Sequence, residues 1–352
     1  MNELEQMLAD SAEKLFGREV TTALIEAAEQ GEWPRALWNT VEESGLPRLF
    51  ADEEQGGADA SWQDALPALL QASRSLAPIP FIETAVCGWL LQRLGLRMPE
   101  GPLGLADLDA EVTARRAGDG WRLDGTVGVP WGRQVSHVLI RARSGSESVW
   151  LLLPTAGCMV EQDVNLAREP RDRLTFADTA AVAAVQDCPL GSASAAKALG
   201  AVMRAIQMAG VLERVLDQTV RYANERIQFG RPIGKFQAIQ QQLAVLANEV
   251  VAARMAVSSA CAAMATSQWE QQAMVSKVIC GQAAGRVAAI AHQVHGAIGF
   301  TYEHDLHFST RRLWAWRAEY GSETCWAREI GERAIRLGGT ALWADVTGTL
   351  PA

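Results

Sequence analysis

The stretch that most constrains this chain runs from Arg221 to Gln237, RYANERIQFGRPIGKFQ. It separates two long runs of apolar residues at helical spacing, and Pro232 forbids one helix from continuing through it. Gly230 and Gly234 supply backbone conformations that other residues avoid. The chain must therefore pass from helix to corner to helix. The corner also carries Arg226, Arg231, Lys235, Gln228 and Gln237. These are all hydrogen-bond donors, suited to a phosphate or pyrophosphate. On charge alone, a solvated interhelical turn is the plainer reading.

At 352 residues the chain is too long for one simple core, and two or three domains are expected. Its net charge of −9 argues against a general binder of nucleic acid or anionic membrane, since both favour a basic surface. The six cysteines form no CxxC pair, and several lie in apolar helical runs, where cysteine acts as a small hydrophobe. A reducing compartment fits better than a disulfide framework. The acidic start, without an apolar leader, and the lack of a convincing bilayer-spanning stretch make the cytoplasm the expected location.

The periodicity divides the chain into three parts, an α+β arrangement. Residues 1–98 read as helices: Asn2 to Phe16, Val20 to Ala28, one opened by Pro34, one capped by Ser61, and one from Glu83 to Leu96. Between residues 99 and 189 the pattern turns to short β-rich runs at 120–125, 136–142, 148–153 and 173–176. These predict a small antiparallel barrel or sandwich. From 190 to 352 long helices return, at 192–224, 235–264, 271–295, 303–316 and 322–337, as in a four-helix-type bundle.

Three motifs of the last part, with this α–β–α order, resemble the acyl-CoA dehydrogenase family. Arg226 to Gln237 is close to the family's R-x-x-F-G-x-x-I-x-x-x-Q corner. Gln293 to Phe300 (QVHGAIGF) is like its Q-x-x-G-G-x-G-aromatic segment. Arg311 to Ser322 ends where the family has a Y-E-G-T turn. Glu53–Gly57 and Ala77–Pro80 fit as well, so the resemblance covers nearly the whole chain. It implies FAD beside an acyl-CoA thioester. A carboxylate base takes the proton α to the carbonyl while the flavin accepts hydride from the β carbon. It further implies that the ADP part of FAD is held by the neighbouring subunit's corner. Arg226 would then meet the pyrophosphate and Phe229 the adenine. Gln237, Gln293, Gly296 and Gly299 would shape the adenosine site.

The departures matter as much. The family's T-E-P-x-x-G-S-D segment has no counterpart in Gly101–Asp109, and of its W-I-T-N stretch only Trp131 remains. In the Y-E-G-T turn Tyr320 stands where the Glu belongs. Glu319, one residue earlier, is the candidate base, with Glu323 nearby. A one-residue shift at a helix end swings a side chain by roughly 100°, so a solvated helix-end residue is the plainer reading of Glu319. The alternative family place for a base falls near Gly200, where no carboxylate stands. His292 and His295, like His304 and His307, are three apart. Without a carboxylate or cysteine partner they read as packed or capping residues, and no metal site is expected.

Two readings follow. In one, the chain is a self-sufficient homo-oligomeric acyl-CoA dehydrogenase using Glu319. In the other, favoured here, it is the shorter subunit of a hetero-oligomer such as a heterotetramer. It then lends its ADP half-site to a longer catalytic partner, as the resemblance implies for enzymes of steroid side-chain thioesters. The electron acceptor stays open in the sequence; the resemblance implies an electron-transfer flavoprotein, the family's common carrier. A flavin-free scaffold is a third alternative.

Overall fold

Asn2 starts the first helix: its side chain accepts from the Glu5 amide, and the Glu5 carboxylate accepts from the Asn2 amide in return. The computed structural model describes residues 2–106, 112–145, 147–186 and 194–346. The chain divides into two compact units, residues 1–203 and 204–352.

The first unit opens with five helices: α1 (Glu3–Glu19), α2 (Thr22–Glu29), α3 (Arg35–Glu43), α4 (Trp62–Arg74) and α5 (Phe81–Arg93). The Thr21 side chain caps α2 by accepting from the Leu24 amide. Ser61 caps α4, as the sequence predicts, and the Asp64 carboxylate accepts from the Ser61 amide in return. The apolar face of α1 (Leu8, Ala12, Leu15, Phe16) packs towards α4, and Phe16 meets Phe81 of α5 at 5.3 Å between ring centroids. Every residue of α5 from Phe81 to Leu91 is buried.

The strands follow: β1 (Leu103–Leu105), β2 (Thr113–Ala117), β3 (Gly120–Pro130), β4 (His137–Ser144), β5 (Glu147–Pro154), β6 (Met159–Glu161), β7 (Arg171–Ala180) and β8 (Ala183–Gln186). They order as β6-β7-β3-β2-β4-β5-β8, with β1 also on β4. The sheet is mixed rather than purely antiparallel, because β1 and β2 both run parallel to β4. Alternate residues of the long strands (Val127 and Val129, Val138 and Ile140, Leu151 and Leu153) share one core with Leu174 and Phe176. The strands missed in sequence are short or polar: β6 is exposed throughout and β2 reads TARRA.

The second unit is helical: α6 (Ala195–Glu225, entering it at Arg204), α7 (Gln237–Ala263), α8 (Trp269–His295), α9 (Leu306–Ala318), α10 (Glu323–Leu337) and α11 (Gly339–Val346). Small buried residues, among them Ala253 and Ala260 on α7 and Ala283, Ala284 and Ala288 on α8, let helices approach closely. The Cys280 thiol reaches the Ala253 carbonyl at 3.8 Å.

By length and composition α6 and α7 could each cross a membrane, which the sequence reading did not expect. In α6 that apolar stretch is 94% buried, so it serves the core. In α7 only 33% of it is buried, and Val245, Val251 and Met255 lie open.

Candidate functional site

The corner after α6 is a tight hairpin. β9 (Ile227–Gln228) pairs antiparallel with β10 (Arg231–Pro232), and Phe229 and Gly230 form the two-residue turn. Both have positive φ, +51° and +78°, as such a turn demands. The Arg226 amide donates to the Tyr222 carbonyl at 2.9 Å, and the Ile233 amide to the Arg226 carbonyl at 2.8 Å. Gly234 lies so close to the end of α6 that a Cβ there would meet the Ala223 carbonyl at 3.1 Å. The Arg231 guanidinium sits over the Phe236 ring. What the hairpin presents is therefore open. Arg226 and Gln237 are exposed, and Phe229 at the tip is 93% accessible.

The second motif ends α8. Gly296 takes φ +64° and ψ −145°, a conformation suited only to glycine, and lies exposed beside exposed Gln293. Gly299 is buried, and a Cβ there would strike the Cβ of His295 at 2.9 Å. Tyr222 joins the two motifs. Its ring stacks on His295 at 4.4 Å, and its hydroxyl donates to the His295 carbonyl at 3.2 Å. The fold thus brings the two motifs that carry Arg226, Phe229, Gln237, Gln293, Gly296 and Gly299 onto one part of the second unit. An unpaired cation among the described residues, an exposed aromatic ring, an exposed amide and an open glycine backbone suit a nucleoside diphosphate, and no side chain fills the space beside Gly296.

Glu319 is not a solvated helix-end residue. At the end of α9 its carboxylate accepts from Nε of Arg204 at 2.6 Å, and the Arg204 side chain is fully buried. Arg204 also donates to Gln207 and lies over the Tyr320 ring. Tyr320 is buried in a left-handed conformation, its carbonyl accepting from the Trp326 indole at 2.9 Å. Lys277, buried on α8, donates to the carbonyls of Arg317 and Gly321, both at 2.8 Å. Burial lowers the Lys277 ammonium to about 8, with Glu319 and Glu323 opposing the fall and Arg204 adding to it. Glu323 pairs with Arg317. Arg204 and Lys277 escaped the sequence reading, since each is a lone cation within an apolar helical run.

In the first unit, Leu103–Leu105 is a wholly buried strand, while positions 107–109 of the segment compared with T-E-P lie outside the described residues. Trp131 turns at φ +61°, is buried, and packs 6.5 Å from Trp33, its amide donating to the Pro170 carbonyl. Arg133 beside it is committed to the buried Asp172.

Helices, then a small mixed sheet, then a long-helix bundle with these two exposed motifs, in that order along the chain, define the class. Two domain descriptions of one family match the chain: "Acyl-CoA dehydrogenase, N-terminal domain" over residues 2–97 and "Acyl-CoA dehydrogenase, C-terminal domain" over residues 191–335. The chain belongs to the acyl-CoA dehydrogenase family, oxidoreductases that act on acyl-CoA with FAD. It is 29% identical over 316 residues to acyl-CoA dehydrogenase IpdE2 of Mycobacterium tuberculosis, covering 88% of this chain and 91% of that one. Its fold matches the ChsE4-ChsE5 complex from Mycobacterium tuberculosis with a TM-score of 0.86 at 23% identity, over 96% of this chain and 99% of that one. A variant of the Tcur3481-Tcur3483 steroid ACAD matches at 0.81 and 26% identity, over 93% and 96% of the two chains.

Proposed function

We propose that this chain is the non-catalytic subunit of a heteromeric FAD-dependent acyl-CoA dehydrogenase, lending the ADP half-site to a longer catalytic partner. The observation that carries this is the turn at Glu319. Glu319, the carboxylate adjoining the family's base position, is bound to a buried guanidinium, nearby Glu323 is paired with Arg317, and a buried tyrosine occupies the position itself. An ion-paired carboxylate is a poor base, because accepting a proton would cost it the pairing.

When bound, FAD supplies the acceptor for hydride. This chain's part is to hold the cofactor's other end. Arg226 neutralises the pyrophosphate, Phe229 packs on the adenine, and Gln237 and Gln293 take the adenosine edges. The glycine at 296 lets backbone approach. The open apolar residues of α7 and the hairpin tip support burial against a related subunit. Structural relatives named as a two-component complex and as a steroid ACAD support a steroid-derived thioester as the substrate of the assembly. An electron-transfer flavoprotein as acceptor and a cytoplasmic location complete the proposal.

The test is to purify the chain alone and together with a longer family member encoded beside it, and to record visible spectra and turnover of both. The expected result is a colourless, inactive chain and a yellow, active complex. A yellow, active homo-oligomer would overturn the proposal in favour of a self-sufficient enzyme. A colourless complex would leave only the flavin-free scaffold.

A further inference from the structure

Four of the protein's five histidines, His292, His295, His304 and His307, gather where the end of α6 meets the end of α8. His295 is the hub. Its ring is buried between Tyr222 at 4.4 Å and His304 at 4.7 Å. Nδ1 donates to the Ala291 carbonyl at 2.7 Å, which leaves Nε2 as a bare lone pair, buried and without a partner. The neutral ring tolerates this. Protonation would place an N–H there with no acceptor and a charge out of water.

His304 is wired in the opposite sense: its Nδ1 accepts from the Leu306 amide at 3.1 Å at the start of α9. The nearby carboxylate, Asp305, offsets only part of the cost of protonating His295, because it is shared. Asp305, 3.7 Å from His304, is already held by Arg214 at 3.0 Å and Gln218 at 2.9 Å from α6. Arg221 of α6 and Arg312 of α9 add positive charge around Arg214. His292 stacks on Phe300 and bonds Thr310, while His307 contacts Tyr302. Among the described residues no three of His, Cys, Asp or Glu are grouped to hold a metal ion.

We propose that Tyr222, His295 and His304 form an acid-sensitive latch. It holds the Arg226 hairpin against the Gln293–Phe300 turn, closed while His295 is neutral and open when it is protonated. The hairpin hangs on Tyr222 through the Arg226 amide, and the turn begins at the His295 carbonyl that the Tyr222 hydroxyl engages. Breaking the stack therefore frees both motifs together. Burial lowers the affinity of His295 for a proton; the Ala291 hydrogen bond and Asp305 oppose the fall, His304 and His292 add to it, and the net shift is downward. The sign follows: closure is complete above the unfolded histidine value near pH 6.5 and is lost as the pH falls below it. Its effect on cofactor retention rests on the ADP half-site proposed above; the latch itself does not.

The test is hydrogen exchange on the full chain, alone and in its assembly, at about pH 7.5 and about pH 5.5 after correction for intrinsic rates. Segments 221–237 and 293–307 should open together at the lower pH. The gain should approach about tenfold and no more, because about pH 5.5 lies roughly one unit below the unfolded histidine value, while α1–α5 stay protected. His295→Phe keeps a ring against Tyr222 but cannot titrate, and should abolish the response; His304→Gln should reduce it. Protection that is independent of pH, opening spread evenly over the chain, or an unchanged response in a folded His295→Phe protein would each overturn the latch. Flavin retention, followed in parallel, reports on the half-site instead. Acid opening without flavin loss counts against that reading and leaves the latch standing.

Discussion

Replacing Glu319 by Gln separates a catalytic carboxylate from a structural one. The side chain of Arg204 is fully buried and that of Glu319 is 17% exposed, with 2.6 Å between them. Breaking a buried pair by removing one charge costs about 3–5 kcal/mol, because the surviving ion is left uncompensated. Partial exposure of Glu319, and the Gln207 and Tyr320 contacts that Arg204 keeps, place the expectation near the lower end, about 3 kcal/mol. For a unit of this size that is roughly 6–12 °C in Tm. Thermal melts of the two proteins, with turnover of the reconstituted complex, decide it. The expected outcome is a large fall in Tm, with turnover retained per folded complex at low temperature. A variant as stable as wild type whose turnover is abolished would refute the ion-pair account and restore Glu319 as the base.

Lys277 gives a pH signature in the same place. Its folded value of about 8 lies below the ordinary 10.5, so stability rises with pH between those values, by up to about 1.4 kcal/mol per unit. Lys277→Met should flatten that part of the denaturation profile; an unchanged slope would mean the ammonium is not buried. Arg226→Ala should lower flavin occupancy of the complex while chain stability stays within about 0.5 kcal/mol, since the residue is exposed. Undiminished flavin would move the pyrophosphate elsewhere. Gly296→Ala should cost about 1–3 kcal/mol by chemical denaturation although a Cβ there meets nothing, because the cost lies in the backbone angle. Phe229→Asp should weaken subunit association roughly fivefold or more, about 1 kcal/mol, without lowering the chain's own Tm; equal affinity by sedimentation would place the hairpin tip outside the interface.

Local rules settled much of this protein in advance. Asn2, Thr21 and Ser61 cap helices because their side chains reach amides a few residues away, and the corner at Gly230 and Pro232 turns because few other backbones can. The short alternating and β-rich runs of β3–β5 marked strands in advance. Its parallel pairings of β1 and β2 with β4 were not legible, since strand partners far apart in sequence leave no periodic trace. The same divide runs through the site. The residues of the Arg226 and Gln293 motifs could be read in order along the chain. That Tyr222 would stack on His295 and tie those motifs together depended on α6 and α8 meeting in space. Glu319 read as solvated because helix ends usually are. Only packing brought Arg204, 115 residues earlier, under its carboxylate, and a buried charge takes whatever counter-charge the fold places beside it.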